Sequence, residues 1–396
     1  MHRYFILVLL LLPFINGVAQ QTKGIEFSST SWSQTVDQAV KKDLPIFLFA
    51  YTNACRYCKQ MEREVFTDPE VAAFYNSTFL SYKIDVDDGG PGEALAERLG
   101  VYGFPTYVYI TPRGRKLHQS GSGKPAAAFI EDGRNALDPD RALFSLASRY
   151  EAGDRTPDLL YNYANALTFY HQRDSPESAV VSDYMATQSM EQLASKKNLI
   201  FLFSKNLPIS SPATQYFLAH HKTFLTVYSP NEIDAKVKHT VLRAATNAGQ
   251  EGDSLQLHAL QSTIRRHFSD TSFLLPLSEI YFLNGKRDWL PYAKATLAYA
   301  QNRGRYDVST LTETVTYLQY FAEEQEVYEV GATIMDLVVK AERSYDNLVQ
   351  RAEILHLSGE VDLAIKAARE AIQRSAASGS SDDTAQDLVK KWESEK

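Results

Sequence analysis

The chain has two cysteines in 396 residues. They stand three apart, as Cys55-Arg56-Tyr57-Cys58, closely behind the apolar run Pro45-Ile46-Phe47-Leu48-Phe49-Ala50-Tyr51. An uninterrupted apolar run of this length predicts a central strand buried on both faces. Residues 55–66 then predict a helix that opens at the cysteines. A thiol at a helix start faces unpaired backbone N–H groups and the positive end of the helix dipole. Both favour thiolate over thiol, and the thiolate is the species that attacks a disulfide. Cys55 is the candidate attacking nucleophile, and Cys58, one turn in, the candidate resolving thiol. Arg56 and Lys59 add positive charge nearby. A disulfide scaffold uses several cysteine pairs, and structural zinc needs more ligands than two thiols. Redox chemistry is the expected use, with a dithiol metal site completed by an outside ligand as the lesser alternative. No cofactor and no resident metal are expected beyond the redox-active pair.

Around this motif, residues 25–137 alternate between two hydrophobic periods. A short apolar start, Ile25 to Phe27, is followed by helical spacing from Trp32 to Lys42. Asp68 and Pro69 open another helix as cap and first-turn residue. Phe79 to Val86 reads as a second buried strand, Asp88 to Gly92 as a loop and Glu93 to Leu99 as a short helix. Thr106 to Ile110 and Lys116 to Gln119 are strands joined by the turn Thr111-Pro112-Arg113-Gly114. Pro125 to Leu137 closes the region as a helix. This order describes an α/β sandwich around a mixed sheet.

Four features together resemble the thioredoxin superfamily over residues 24–137. They are Cys55 to Cys58 after the apolar strand, Lys83-Ile84-Asp85-Val86-Asp87, Gly100-Val101-Tyr102-Gly103-Phe104-Pro105-Thr106, and the Pro112 to Gly114 hairpin. Trp32, Cys58-Lys59-Gln60-Met61-Glu62 and Val65-Phe66-Thr67-Asp68-Pro69-Glu70-Val71 are similar to an exported thioredoxin-like group, a pattern shared with the C-terminal domain of thiol:disulfide interchange proteins. The resemblance implies a thioredoxin-like fold and thiol–disulfide exchange with protein thiols. It implies a cis peptide bond before Pro105 and a substrate groove formed by Phe104, Pro105, Arg56 and Tyr57. Two departures stand out: Ala54 where the family has tryptophan, and Phe49 where thioredoxins carry a buried proton-accepting acid. Lys83, the partner of that acid, is kept and is expected to support proton transfer, with Glu62 and Asp85 as substitute acceptors.

Residues 1–19 read as a signal peptide: Arg3, an apolar stretch from Phe5 to Ile15, and the small residues Gly17-Val18-Ala19. Export to the periplasm, or secretion, is the expected location. The net charge of −7 excludes a broadly basic nucleic-acid surface. From Asp138 to Lys396 the patterning turns helical. Leu348 to Ser375 resembles a tetratricopeptide repeat at Ala352, Gly359, Ala364 and Ala371, with a fainter echo at Leu283 to Lys286. The expected organisation is a signal peptide (1–19), a thioredoxin-like domain (20–137) and an all-helical, TPR-like domain (138–396) offered to a protein partner. The expected function is thiol–disulfide oxidoreductase acting on protein partners and a redox partner, with no nucleic acid and no membrane span. The alternative is an interaction module or envelope chaperone-like scaffold whose thioredoxin-like part is a docking platform. Gly121-Ser122-Gly123-Lys124 fails as a phosphate loop, since His118 replaces its first glycine and Pro125 follows the lysine.

Overall fold

The computed structural model describes residues 24–170, 175–378 and 383–395. The expected signal peptide lies outside the described residues. The chain divides into two compact units, Met1–Ser189 and Met190–Lys396.

The first unit is built on a four-stranded sheet: β1 (Ile46–Tyr51), β2 (Leu80–Asp85), β3 (Thr106–Ile110) and β4 (Lys116–Gly121), in the order β2-β1-β3-β4. β1 runs parallel to β2 and antiparallel to β3, and β3 pairs antiparallel with β4. The short apolar start, Ile25 to Phe27, contributes a single parallel bridge, Phe27 to Ser81. Its helices are α1 (Trp32–Lys42), α2 (Arg56–Gln60), α3 (Pro69–Thr78), α4 (Pro91–Leu99) and α5 (Ala126–Leu137). α1 and α3 start where side chains accept orphan N–H groups. Ser31 and Gln34 form a capping box on α1, and Asp68 accepts from Glu70 and Val71 on α3. α4 begins at Pro91, two residues before the expected start, because the Asp88 carboxylate accepts the N–H groups of Gly90, Gly92 and Glu93. The helix expected over 55–66 is α-helical only to Gln60. Met61–Val65 forms one π turn, with Phe66 N–H reaching back to Met61 O.

Alternation along the strands sorts the core by face. Phe47, Phe49, Tyr107 and Tyr109 join Phe66, Tyr75, Phe129, Met61 and Cys58 on one side. Ile46, Leu48, Ala50, Val108 and Ile110 join Ile84, Leu95 and Ala39 on the other. The unit continues past Leu137 through α6 (Leu143–Glu151), α7 (Pro157–Thr168) and α8 (Glu177–Ala186). His118 of β4 accepts the Leu143 N–H at 3.0 Å, which joins the sheet to the start of α6.

Every element of the second unit, among its described residues, is a helix. Two of its helices, Pro230–Gln250 and Leu274–Lys286, touch backbone to backbone at Gly249 and Gly285. A Cβ on either glycine would lie about 2 Å from a carbonyl oxygen of the other helix. Helices Tyr345–Leu357 and Val361–Ser378 turn at Gly359, whose φ of +86° suits glycine. Ala352, Ala364, Ala368 and Ala371 are fully buried between these helices and their neighbours. No helix among the described residues is long and apolar enough to cross a membrane.

Candidate active site

Cys55 and Cys58 form a disulfide with Cα atoms 5.3 Å apart. β1 ends at Tyr51, and the turn Thr52-Asn53-Ala54 delivers Cys55 to the N-cap of α2. The Cys55 sulfur accepts the Cys58 N–H at 3.1 Å. It therefore occupies the place where a capping oxygen usually stands, and negative charge on it is held by the helix end. Cys58 is 1% exposed and Cys55 half-buried. Arg56 and Tyr57 point outward, Tyr57 at 59% exposure.

The peptide bond between Phe104 and Pro105 is cis. Phe104 packs against the same core cluster as Cys55 and Cys58. Its backbone N–H and C=O take part in no hydrogen bond among the described residues, while the Pro105 carbonyl accepts from Ser122 N–H at 3.2 Å. An unpaired backbone N–H and C=O of this kind can pair with an extended polypeptide.

Lys83 stands directly beside Phe49 in the β1–β2 register. With no acid at residue 49, the Lys83 ammonium pairs with Glu62 at 2.9 Å, and it lies 5.5 Å from the Tyr51 ring centroid. Glu62 is four residues past Cys58 in the π turn. Asp85 accepts from the Asn53 side chain at 2.6 Å instead, in the turn that precedes Cys55.

The failed phosphate loop proves to be a strut. Residue 123 meets the Tyr57 ring: a Cβ there would sit 3.3 Å from it. Lys124 N–H donates to the Met61 sulfur, and Tyr107 hydroxyl donates to Ser122 O. The Lys124 side chain turns inward to a buried carboxylate, Asp132 on α5, at 2.7 Å. Asp132 also accepts from Tyr109 at 3.1 Å and Ser120 at 2.5 Å, and lies 3.4 Å from His118 Nε2. Because His118 Nδ1 accepts from Leu143, Nε2 carries the ring's proton. Tyr75 hydroxyl closes the group: it donates to the Phe129 carbonyl at 2.8 Å and lies 2.8 Å from the Tyr109 hydroxyl, whose one proton is shared between Tyr75 and Asp132. Burial alone raises a carboxyl pKa. Here the Lys124 ammonium and the His118 N–H outweigh burial and hold Asp132 well below the carboxylate range. Burial pushes the Lys124 ammonium down, against Asp132, which pushes it up. Sequence reading missed this cluster. Its one signal is an acid on the apolar stripe Phe129, Ile130, Gly133, Ala136 of α5.

Among the described residues, no three or more His, Cys, Asp or Glu side chains converge as a metal site. Residues 32–134 match the family model of the thioredoxin-like domain. Among curated proteins, the chain is similar to thiol:disulfide interchange protein DsbD of Ralstonia nicotianae, at 29% identity over 126 residues covering 31% of this chain and 21% of that one. It is also similar to the DsbD of Klebsiella pneumoniae, at 30% identity over 100 residues covering 24% and 17%. The chain thus spans about a fifth of the length of the curated relatives it matches. Among solved structures, the oxidised C-terminal domain of Neisseria meningitidis DsbD matches at 25% identity with a TM-score of 0.24, covering 27% of this chain and 94% of that one.

Proposed function

We propose that this chain, which carries a thioredoxin-like domain over residues 32–134, is an exported thiol–disulfide oxidoreductase that exchanges two electrons with polypeptide partners in the periplasm. One observation carries the reading: the Cys55 sulfur caps α2 while its partner Cys58 is buried behind it. In the reduced protein the Cys55 thiolate attacks a substrate disulfide. One Cys55–substrate S–S bond forms, the substrate bond breaks, and the first substrate thiolate leaves. Cys58 then gives its proton to a base and attacks the Cys55 sulfur. The Cys55–Cys58 bond forms, the second substrate thiolate leaves, and the protein has lost the two electrons the substrate gained. Run backwards, the same steps oxidise a dithiol.

Phe104 and Pro105 shape the groove in which the substrate strand lies, with Tyr57 and Arg56 on its outer wall. Glu62 is the proton acceptor for Cys58. It holds Lys83 in place of the acid that Phe49 displaces, and it lies one helical turn beyond the thiol. The helical unit, with its hairpin of 345–378 similar to a tetratricopeptide repeat, is the docking part for a partner.

The test equilibrates the protein in graded dithiol–disulfide buffers and counts alkylated thiols by mass. A midpoint near about −270 mV marks a reductant and one near about −120 mV an oxidant. In parallel, reduced Cys58→Ser is expected to accumulate a mixed disulfide through Cys55 with a disulfide-bonded peptide. A pair that never interconverts, or a variant that traps nothing, overturns the reading.

A further inference from the structure

The cavity beside Lys124 takes no part in the exchange steps above. It measures about 490 Å³ and is walled by Gly123, Lys124, Ala128, Asn162, Asn165 and Phe169, among other residues of the first unit. That volume suits a bound side chain or small ligand. The cavity shares its rim with the redox motif, because Gly123 meets the Tyr57 ring and the preceding Ser122 holds the Pro105 carbonyl.

Its floor is a salt bridge, yet what the floor offers is one-sided. Asp132 receives Tyr109, Ser120, Lys124 and His118. A carboxylate has about four acceptor positions, so these are used inward. The Ser120 hydroxyl donates to Asp132 and accepts from Lys124 at 2.8 Å. The Lys124 ammonium spends two donors on Asp132 and Ser120 and keeps a third, with the Phe169 ring centroid 5.3 Å away. Arg141 adds a second cation to the lining, paired with Glu131 at 2.9 Å and Asp138 at 3.6 Å. A floor with its acceptors consumed and a cationic donor left over selects a group that accepts.

We propose that this cavity is a specificity subsite that takes an acidic side chain, Asp or Glu, of the polypeptide whose cysteine reacts at Cys55. The proposal rests on the exchange reading above and names the substrate it favours. An extended strand advances about 3.3 Å per residue, so stepping the acid along the peptide samples the span from Cys55 to the cavity.

The experiment uses the reduced full-length protein and two cysteine peptides activated as 2-pyridyl disulfides. They are identical except for Glu or Gln at one position, the pair being remade with that position stepped along the strand on both sides of the cysteine, and pyridinethione release gives second-order rate constants. The Glu peptide is expected to react about tenfold faster, the worth of one charged hydrogen bond. Ala128 is exposed on α5, and both Glu and Gln are good helix formers there. Ala128→Glu is expected to bring the Glu-to-Gln ratio to one or below, while Ala128→Gln keeps the preference. A ratio of one in the unaltered protein, a ratio unmoved by Ala128→Glu, or a preference lost equally in Ala128→Gln overturns the proposal. Reduction of the Cys55–Cys58 disulfide by dithiothreitol separates the two readings. If it fails, the exchange function falls; if it proceeds and the peptides do not differ, only the subsite falls.

Discussion

The two faces of the sheet share strands but not chemistry. Against one lie Ile84, Leu95 and Ala39, aliphatic and without polar atoms to satisfy. Against the other lie four tyrosine and phenylalanine rings of β1 and β3 with Tyr75 and Phe129, the latter two stacked at 4.5 Å. Tyrosine brings hydroxyls into the core, and buried hydroxyls require partners. Tyr75 and Tyr109 find theirs in each other, in Phe129 O and in Asp132; Asp132 in turn requires Lys124 and His118. The aliphatic face takes its rings at the margin, from Trp32, Tyr82 and Phe104, and none of its fully buried members carries a hydroxyl. The aromatic face is a chain of obligations that runs to the π turn behind the redox motif, since the backbone N–H of Lys124 bonds the Met61 sulfur.

Breaking that chain at its charge has the largest expected effect. Asp132→Asn leaves the Lys124 ammonium buried and uncompensated, and should cost about 3–5 kcal/mol in denaturant unfolding. The same variant should lose an acid-dependent transition. Asp132 is depressed in the folded state, so its stability is fully present above the ordinary carboxylate pKa of about 3.9 and fades as pH falls below it. The native protein should therefore weaken below about pH 4 more steeply than Asp132→Asn. On the other face, Leu48→Ala should cost about 2–5 kcal/mol through the cavity it leaves, with no change in that acid slope. Equal acid slopes in all three proteins would dissolve the contrast. Tyr109→Phe should cost about 1–2 kcal/mol, as it strips one donor from Asp132 and one partner from Tyr75. The smallest stability effect belongs to Glu62→Gln, below about 1 kcal/mol, because its pair with Lys83 is solvent-screened. It should nonetheless slow the Cys58-dependent step by about tenfold to a hundredfold in stopped-flow exchange. An unchanged rate would remove Glu62 as the proton acceptor.

What the sequence made legible was periodic or contiguous. The run from Pro45 to Tyr51, the C-x-x-C at its end, the Phe104-Pro105 turn and the Thr111 to Gly114 hairpin are each written within a few residues, and each stands as expected in position. What it concealed is long-range. His118, Ser120, Lys124 and Asp132 come from a strand, a loop and a helix, and only the sheet's closure brings them together. The π turn at Met61 leaves no mark because an extra residue within one turn does not break an apolar stripe visibly. The continuation of the sheet-bearing unit through α6 to α8 is equally silent, since Asp138 changes the texture of the sequence without ending the packing.

One bond in this network keeps time. Leu143 is the first residue of α6, where an amide ordinarily has no intrahelical acceptor. Its hydrogen is held by His118 Nδ1, so deuterium can enter only when the imidazole lets go. The exchange rate at this single amide is a clock for the opening of the ion cluster, read several residues away from any sulfur. An amide as slow as those of β1 would mean that the start of α6 opens only with the core itself.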